Sequence, residues 1–349
     1  MSHASPRPDD RTQYGGQAVV EGVMMRSPHY YAVACRRLSN SEIVTHLEPV
    51  QKSMKRWMWL NRPFLRGTLA LIDAFILGYR SLTYAANIAA ADQLGTSSTR
   101  STNTNHTAPH SDDAVAEVKA QPINGIAIGA TSVIAVCFGT ALFWILPAAI
   151  ADHWAHHHSH KTVLAAVIEG AIRIAFFLGY ISLIAQMKNI QRVFQYHGAE
   201  HKAINTLESG LPLTLGNAKT SSRIHPRCGT NFIFIVLITA TIIFGFVPRH
   251  SLTDGIVPFF GSHLIRIALL IPVAGISFEI LKLAGANRNK SWVRAIIAPG
   301  LWLQYMTTRV PDDAQIEVAL ASLQTVWDAE HKPAASSIEP NEEPSAAVA

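Results

Sequence analysis

Charge is what this chain has least of. Only 15% of its 349 residues are charged, while 49% are hydrophobic. A soluble domain usually carries charge on about a quarter of its residues, so composition argues against a purely soluble protein. Cysteine is almost as scarce. Cys35, Cys137 and Cys228 are far apart, odd in number and without a C-x-x-C pair, which excludes a disulfide framework. The opening stretch MSHASPRPDDRTQYGG has no apolar core segment, so no cleavable signal peptide is expected and internal spans must direct insertion. No Lys/Arg stripe alternates with exposed aromatics, so nucleic-acid binding is not expected. The net charge of +5 instead fits basic residues gathered beside membrane spans. No internal repeat is visible.

What is present is apolar and clumped. Four long stretches predict membrane spans at about 124–150, 163–187, 231–247 and 256–283. Each can cross roughly 30 Å of hydrocarbon, the third being short. Together with the flanking sequence they predict a mainly α, polytopic helical membrane protein with about four transmembrane helices. A small N-terminal α+β hairpin region and a C-terminal amphipathic helix complete it. Residues 1–13 read as a disordered tail, and 14–91 as an N-terminal region. In the latter, YYAVACRRL, the turn SNSE and IVTHLEPV form a β-hairpin. The basic, Trp-containing segment 51–66 suits a headgroup interface. The apolar stretch 67–91, broken by Asp73 and Arg80, reads as an interfacial helix. Residues 92–120 read as a flexible linker and 121–310 as the transmembrane domain. Pro311 and the acidic Asp312 and Asp313 start a final helix over 311–328, whose Ile316, Leu320, Leu323 and Trp327 share one face. Residues 329–349 read as a second disordered tail.

Loop charge sets the orientation. Lys188, Arg192, Lys202, Lys219, Arg223 and Arg227 lie between spans two and three, whereas the other two loops carry one basic residue each. That bias places the 188–230 loop and both termini in the cytoplasm of a multi-pass protein of the cell (inner) membrane.

Chemistry concentrates in that loop. QYHGAEHKAIN holds His197, Glu200 and His201 in an H-x-x-E-H pattern. On a helix the two histidines share a face and can hold one divalent metal. Glu200 is then placed as a general base, as in soluble metalloproteases of this pattern. RIHPRCGTNF adds His225 and Cys228, three apart across Pro226, as further zinc or iron ligands. The competing reading is a polar helix turn with hydrogen-bonding histidines and a small buried thiol. Within the spans, Glu169 and Arg173 are four apart and can pair along a helix. Arg266 can reach Glu169 from another helix. Glu279, near the cytoplasmic end of span four, and Glu21 are outer ligand candidates. Ionisable groups at such depth mark either function or a structural ion pair. The outer stretch HWAHHHSH (153–160) is a His-rich loop by composition only. Gly22, in GGQAVVEGVMMRSP, predicts a close backbone approach.

Five stretches together, GGQAVVEGVMMRSP, QYHGAEHKAINTLE, HPRCGTNF, IPVAGISFEILKLAG and APGLWLQYMTTRVPDDAQIEVALASL, resemble the YqhQ-like bacterial membrane proteins, a domain-of-unknown-function family. The resemblance covers most of 14–327 outside the 92–120 linker. It implies an integral membrane fold and a metal-dependent enzyme with His197, Glu200, His201, His225 and Cys228 at its centre. The leading expectation is therefore a cytoplasm-facing metal site, zinc first among divalent ions, hydrolysing a membrane-proximal peptide or lipid. Two alternatives stand beside it. One is a membrane scaffold with a closed structural metal site that recruits a membrane or cytoplasmic protein. The other is a small transporter using Glu169, Arg173, Arg266 and Glu279.

Overall fold

The computed structural model describes residues 13–50, 64–100, 133–135, 137–158, 162–247, 255–287 and 290–331. The basic segment up to residue 63, linker residues 101–120, the start of the first predicted span, the end of the His-rich loop and most of both predicted tails lie outside the described residues. The chain is mainly helical.

Four antiparallel strands come first, paired in sequence order: β1 (Gly15–Val19), β2 (Gly22–Arg26), β3 (Tyr30–Arg36) and β4 (Ile43–Pro49). The predicted hairpin is β3–β4, with Tyr30 opposite Pro49 and Arg36 opposite Ile43. Side chains of a strand alternate between faces, and here both faces are covered. Val23 and Met25 of β2 join Ala32 and Ala34 of β3 in one core. Met24, Tyr31, Val33 and Cys35 face the opposite way into another. That explains why GVMM is an unbroken apolar run. Gly22 does have a close neighbour: a Cβ there would lie 2.4 Å from the Ala34 carbonyl oxygen.

The second core is closed by helix α1 (Leu65–Arg100). Its Leu77 and Ala85, with Tyr84 and Ile88, pack on the sheet. Asp92 accepts from the Leu38 backbone N–H at 2.7 Å. The opposite side exposes Leu71, Ile72, Phe75, Ile76, Tyr79 and Leu82. The helix also corrects the expected linker, which does not begin at 92. Ala-rich NIAAADQ has high helix propensity, and the helix runs through Arg100.

The apolar helices follow. A π-helical turn at Ala141–Ile145 leads into α2 (Leu146–His158), then α3 (Thr162–Ile184), α4 (Lys188–Glu208), α5 (Leu215–Thr220), α6 (Gly229–Phe244), α7 (Ile256–Ala286), α8 (Ser291–Thr307) and α9 (Asp313–His331). Among the described residues four stretches are long and apolar enough to cross a membrane: Arg66–Asp92, Val133–Ala151, Leu164–Ile184 and Phe260–Ala284. The predicted third span is α6, with 16 residues. At 1.5 Å per residue it measures about 24 Å, less than the hydrocarbon thickness. Helices α4 and α9 sit together on the first core through Tyr196, Ala203, Ile204, Leu207, Ile316 and Leu323. The sheet is thus the middle layer between α1 and the α4–α9 pair.

Candidate metal centre

Helix α4 brings H-x-x-E-H to the junction of the sheet layer and the apolar helices. Gly198 makes the approach possible. A Cβ there would lie 2.1 Å from the Arg309 carbonyl oxygen, and the Arg309 N–H donates to the Phe194 carbonyl at 2.8 Å. The glycine that weakens the helix on propensity grounds lets another chain segment lie against it.

The loop before α6 is then fastened to α4 and α8. Lys202 Nζ donates to the carbonyls of Lys219 and Ser221, both at 2.7 Å. Asn205 Nδ2 donates to the Ser222 and Ile224 carbonyls at 2.7 and 3.1 Å. The Gln304 side chain, fully buried, accepts from the His225 N–H at 2.9 Å and donates to the His225 carbonyl at 2.8 Å. These contacts seat Cys228 beside the histidines. The ligand atoms of His197, His201 and Cys228 all lie within 4.8 Å of one another, with Cys228 Sγ 3.3 Å from His197 Nε2.

The imidazole orientations are fixed by partners that can only accept. His197 Nδ1 donates to the Thr307 carbonyl at 2.9 Å, and His201 Nδ1 donates to the Arg223 carbonyl at 2.6 Å. In its neutral form, each ring so held turns an Nε2 lone pair into the site. Backbone carbonyls behind ligating histidines are the usual means of setting tautomer and ring plane. Glu200 Oε2 lies 3.8 Å from both Nε2 atoms. Its side chain passes against Gly16, where a Cβ would lie 2.7 Å from Glu200 Cγ. Burial pushes the Glu200 carboxyl up from its ordinary 4.5 to about 7, against the opposing pull of His197 and the Gly16 N–H. Burial likewise holds the His201 imidazole below its ordinary range.

Other predicted site residues lie elsewhere. His225 is buried, but its Nε2 has no hydrogen bond and faces Glu208 Oε1 at 3.4 Å. Its ring lies 5.7 Å from that of His201, centroid to centroid, but it is not among the three converging ligand residues. Glu279, expected as an outer ligand candidate, is paired with Arg66, whose guanidinium grips its carboxylate at 2.7 and 2.6 Å. Glu21 is engaged by Arg192 and, at 3.3 Å, by the Tyr196 hydroxyl. Glu169 is buried and accepts from Arg173 on its own helix and from Arg266 at 3.3 Å across helices. Arg173 also donates to the Phe143 carbonyl at 3.0 Å and lies over the Trp144 ring. Of the His-rich stretch 153–160, expected as a loop, residues 153–158 belong to α2, His153 is exposed and residues 159–160 lie outside the described residues. Sequence reasoning missed Gly16, Gln304, Thr307 and Asn205. GGQ and LWLQYMTTR carry the first three, and neither contains a residue type that signals a metal by itself; Asn205 lies one turn past His201 in QYHGAEHKAIN.

Fold and site define a mainly helical protein with four candidate membrane spans and a largely buried His/His/Cys cluster, its histidines on α4 and its cysteine capping α6. A family model described as Protein of unknown function (DUF1385) matches residues 62–329, and the chain belongs to that family. It is 34% identical over 313 residues to Uncharacterized protein YqhQ of Bacillus subtilis (strain 168), covering 88% of this chain and 90% of that protein. No solved structure matches the chain.

Proposed function

We propose that this protein is a metal-dependent membrane enzyme holding one divalent ion, zinc fitting the donor set best, at His197, His201 and Cys228. Its site faces the cytoplasm, in keeping with the basic 188–230 loop. One observation carries the reading. Two imidazole Nε2 atoms, a sulfur and a carboxylate oxygen converge, a donor set of the kind that binds one divalent ion. Three protein ligands of this kind leave one position open, as catalytic zinc sites do. A bound ion would supply Lewis acidity. Glu200 would accept and return a proton at Oε2, which lies 3.8 Å from both imidazole Nε2 atoms. Hydrolysis of a membrane-proximal peptide or lipid is the reaction class this pairing favours.

A second reading has its own support. Glu200 Oε2 is equally close to both Nε2 atoms and could complete a closed, structural site in a scaffold that recruits a membrane or cytoplasmic protein. Cobalt substitution separates the two. The parent should show thiolate-to-cobalt charge-transfer absorption, which Cys228→Ser abolishes. Glu200→Gln should keep the absorption if Glu200 is a base. Loss of cobalt from Glu200→Gln makes Glu200 a ligand and favours the scaffold. Absence of the charge-transfer band in the cobalt-loaded parent refutes Cys228 as a ligand.

A further inference from the structure

A polar cavity of about 600 Å³ opens beside the metal centre, where the end of α3, the loop before α6 and the end of α8 meet. Ser182, Ala185, Arg223, Tyr305, Thr308 and Arg309 line it, and none of the metal-centre side chains does. From its placement and charge we infer that it binds a phosphate-bearing anion, and that at a membrane surface this is the headgroup of an anionic phospholipid.

Depth is the first support. Ser182 belongs to the last turn of the candidate span Leu164–Ile184, and Ala185 follows it. Leu183, Met187, Trp302 and Tyr305 are all more than half exposed around this region. A belt of exposed aromatic and aliphatic side chains at a span's end marks the headgroup level. The cavity therefore opens where lipid phosphates sit.

Charge is the second support. Two arginines line the cavity and no carboxylate does. Among the described residues neither arginine is within ion-pair distance of an acidic group; each instead donates to a backbone carbonyl. Arg223 Nη1 reaches the Thr308 carbonyl at 2.6 Å and lies over the Tyr305 ring. Arg309 Nη2 reaches the Ala185 carbonyl at 3.0 Å. One bond orients each guanidinium and leaves further N–H donors on the same planar group. Oriented, unpaired guanidinium groups are the preferred partners of phosphate. The volume lies within the range of small-ligand cavities. The inference does not rest on the metal reading, although Arg223 and Thr308 border the backbone that holds the two imidazoles.

The test uses detergent-purified full-length protein and follows thermal unfolding. The protein is titrated with short-chain phosphatidylglycerol, with phosphatidylcholine of the same chain length, and with inorganic phosphate. Phosphatidylglycerol should stabilise saturably and phosphatidylcholine should not. Apparent affinity should fall about fivefold in Arg309→Gln and about thirtyfold when Arg223→Gln is added, from the usual contribution of one basic group at an anionic surface. Arg309→Lys should recover most of the loss. Arg309 is exposed, so its variant carries the test even if the double variant fails to fold. Saturation by inorganic phosphate, lost in Arg309→Gln, would support the anion site and assign it to a soluble phosphate. Equal stabilisation by both lipids, or phosphatidylglycerol binding unchanged in Arg309→Gln, would overturn the inference.

Discussion

Replacing Glu200 by Gln should change how the metal-free protein responds to pH. The Glu200 carboxyl titrates near 7 in the folded chain and near 4.5 when unfolded. Between those values the folded state holds a proton that the unfolded state has released. The group's contribution is therefore fully present below pH 4.5 and is lost as pH rises through 7. A tenfold change in proton affinity is about 1.4 kcal/mol, so the loss approaches about 3 kcal/mol. His201 acts with the opposite sign. Burial lowers its value, so its unfavourable effect at acid pH disappears as pH rises past the ordinary histidine range. Both proteins contain His201, and the difference between them isolates Glu200. The assay is equilibrium denaturation of metal-stripped parent and Glu200→Gln at pH 5 and pH 7.5. The variant should gain on the parent by about 2–3 kcal/mol between the two pH values. Parallel pH profiles would mean that Glu200 is ionised throughout, and would refute its buried, proton-holding role.

Two further outcomes follow from the packing around the site. Gly198→Ala should destabilise the fold by about 1–3 kcal/mol through overpacking, although Ala in a helix normally gains about 1 kcal/mol over Gly; a stabilised variant in chemical denaturation would show that the Arg309 backbone yields freely. Gln304→Ala leaves the buried His225 N–H without a partner and its carbonyl with the Cys228 N–H alone, at 3.3 Å, and should cost about 1–3 kcal/mol. It should also weaken zinc binding about tenfold or more in a competition titration with a chromophoric chelator, since Gln304 acts only through the loop it holds; unchanged affinity would detach the loop from the metal centre.

Much of this site could be read from the sequence because its first part is local. His197 and His201 are one helical turn apart, and their shared face needs only that the segment be helical. Cys228 is a different case. Spacing across Pro226 gives His225 and Cys228 equal standing, and nothing nearby says which turns inward. The loop that carries both is held by Gln304, 79 residues from His225, whose amide grips the histidine's backbone. The same holds for Glu279, which charge bias and span order place near the centre until Arg66, distant in sequence, claims it. The predicted hairpin β3–β4 announces itself through its polar turn. The β1–β2 hairpin was hidden because its two-residue turn, Val20–Glu21, has no glycine or asparagine at the turn positions, and Glu21 itself takes a φ of +50°. Helix α1 is apolar enough to span, and its packing on the sheet depends on strands that end before it begins.

The central claim is that HGAEH and Cys228 hold a metal. The direct measurement is elemental analysis of full-length protein purified in detergent without a His tag and with the 153–160 loop replaced. The His197→Ala/His201→Ala double variant is prepared in parallel after metal-replete growth. The account predicts about one zinc ion per chain in the parent and none in the variant. Equal metal in both proteins, or none in either, would contradict it and leave the cluster a hydrogen-bonded helix turn.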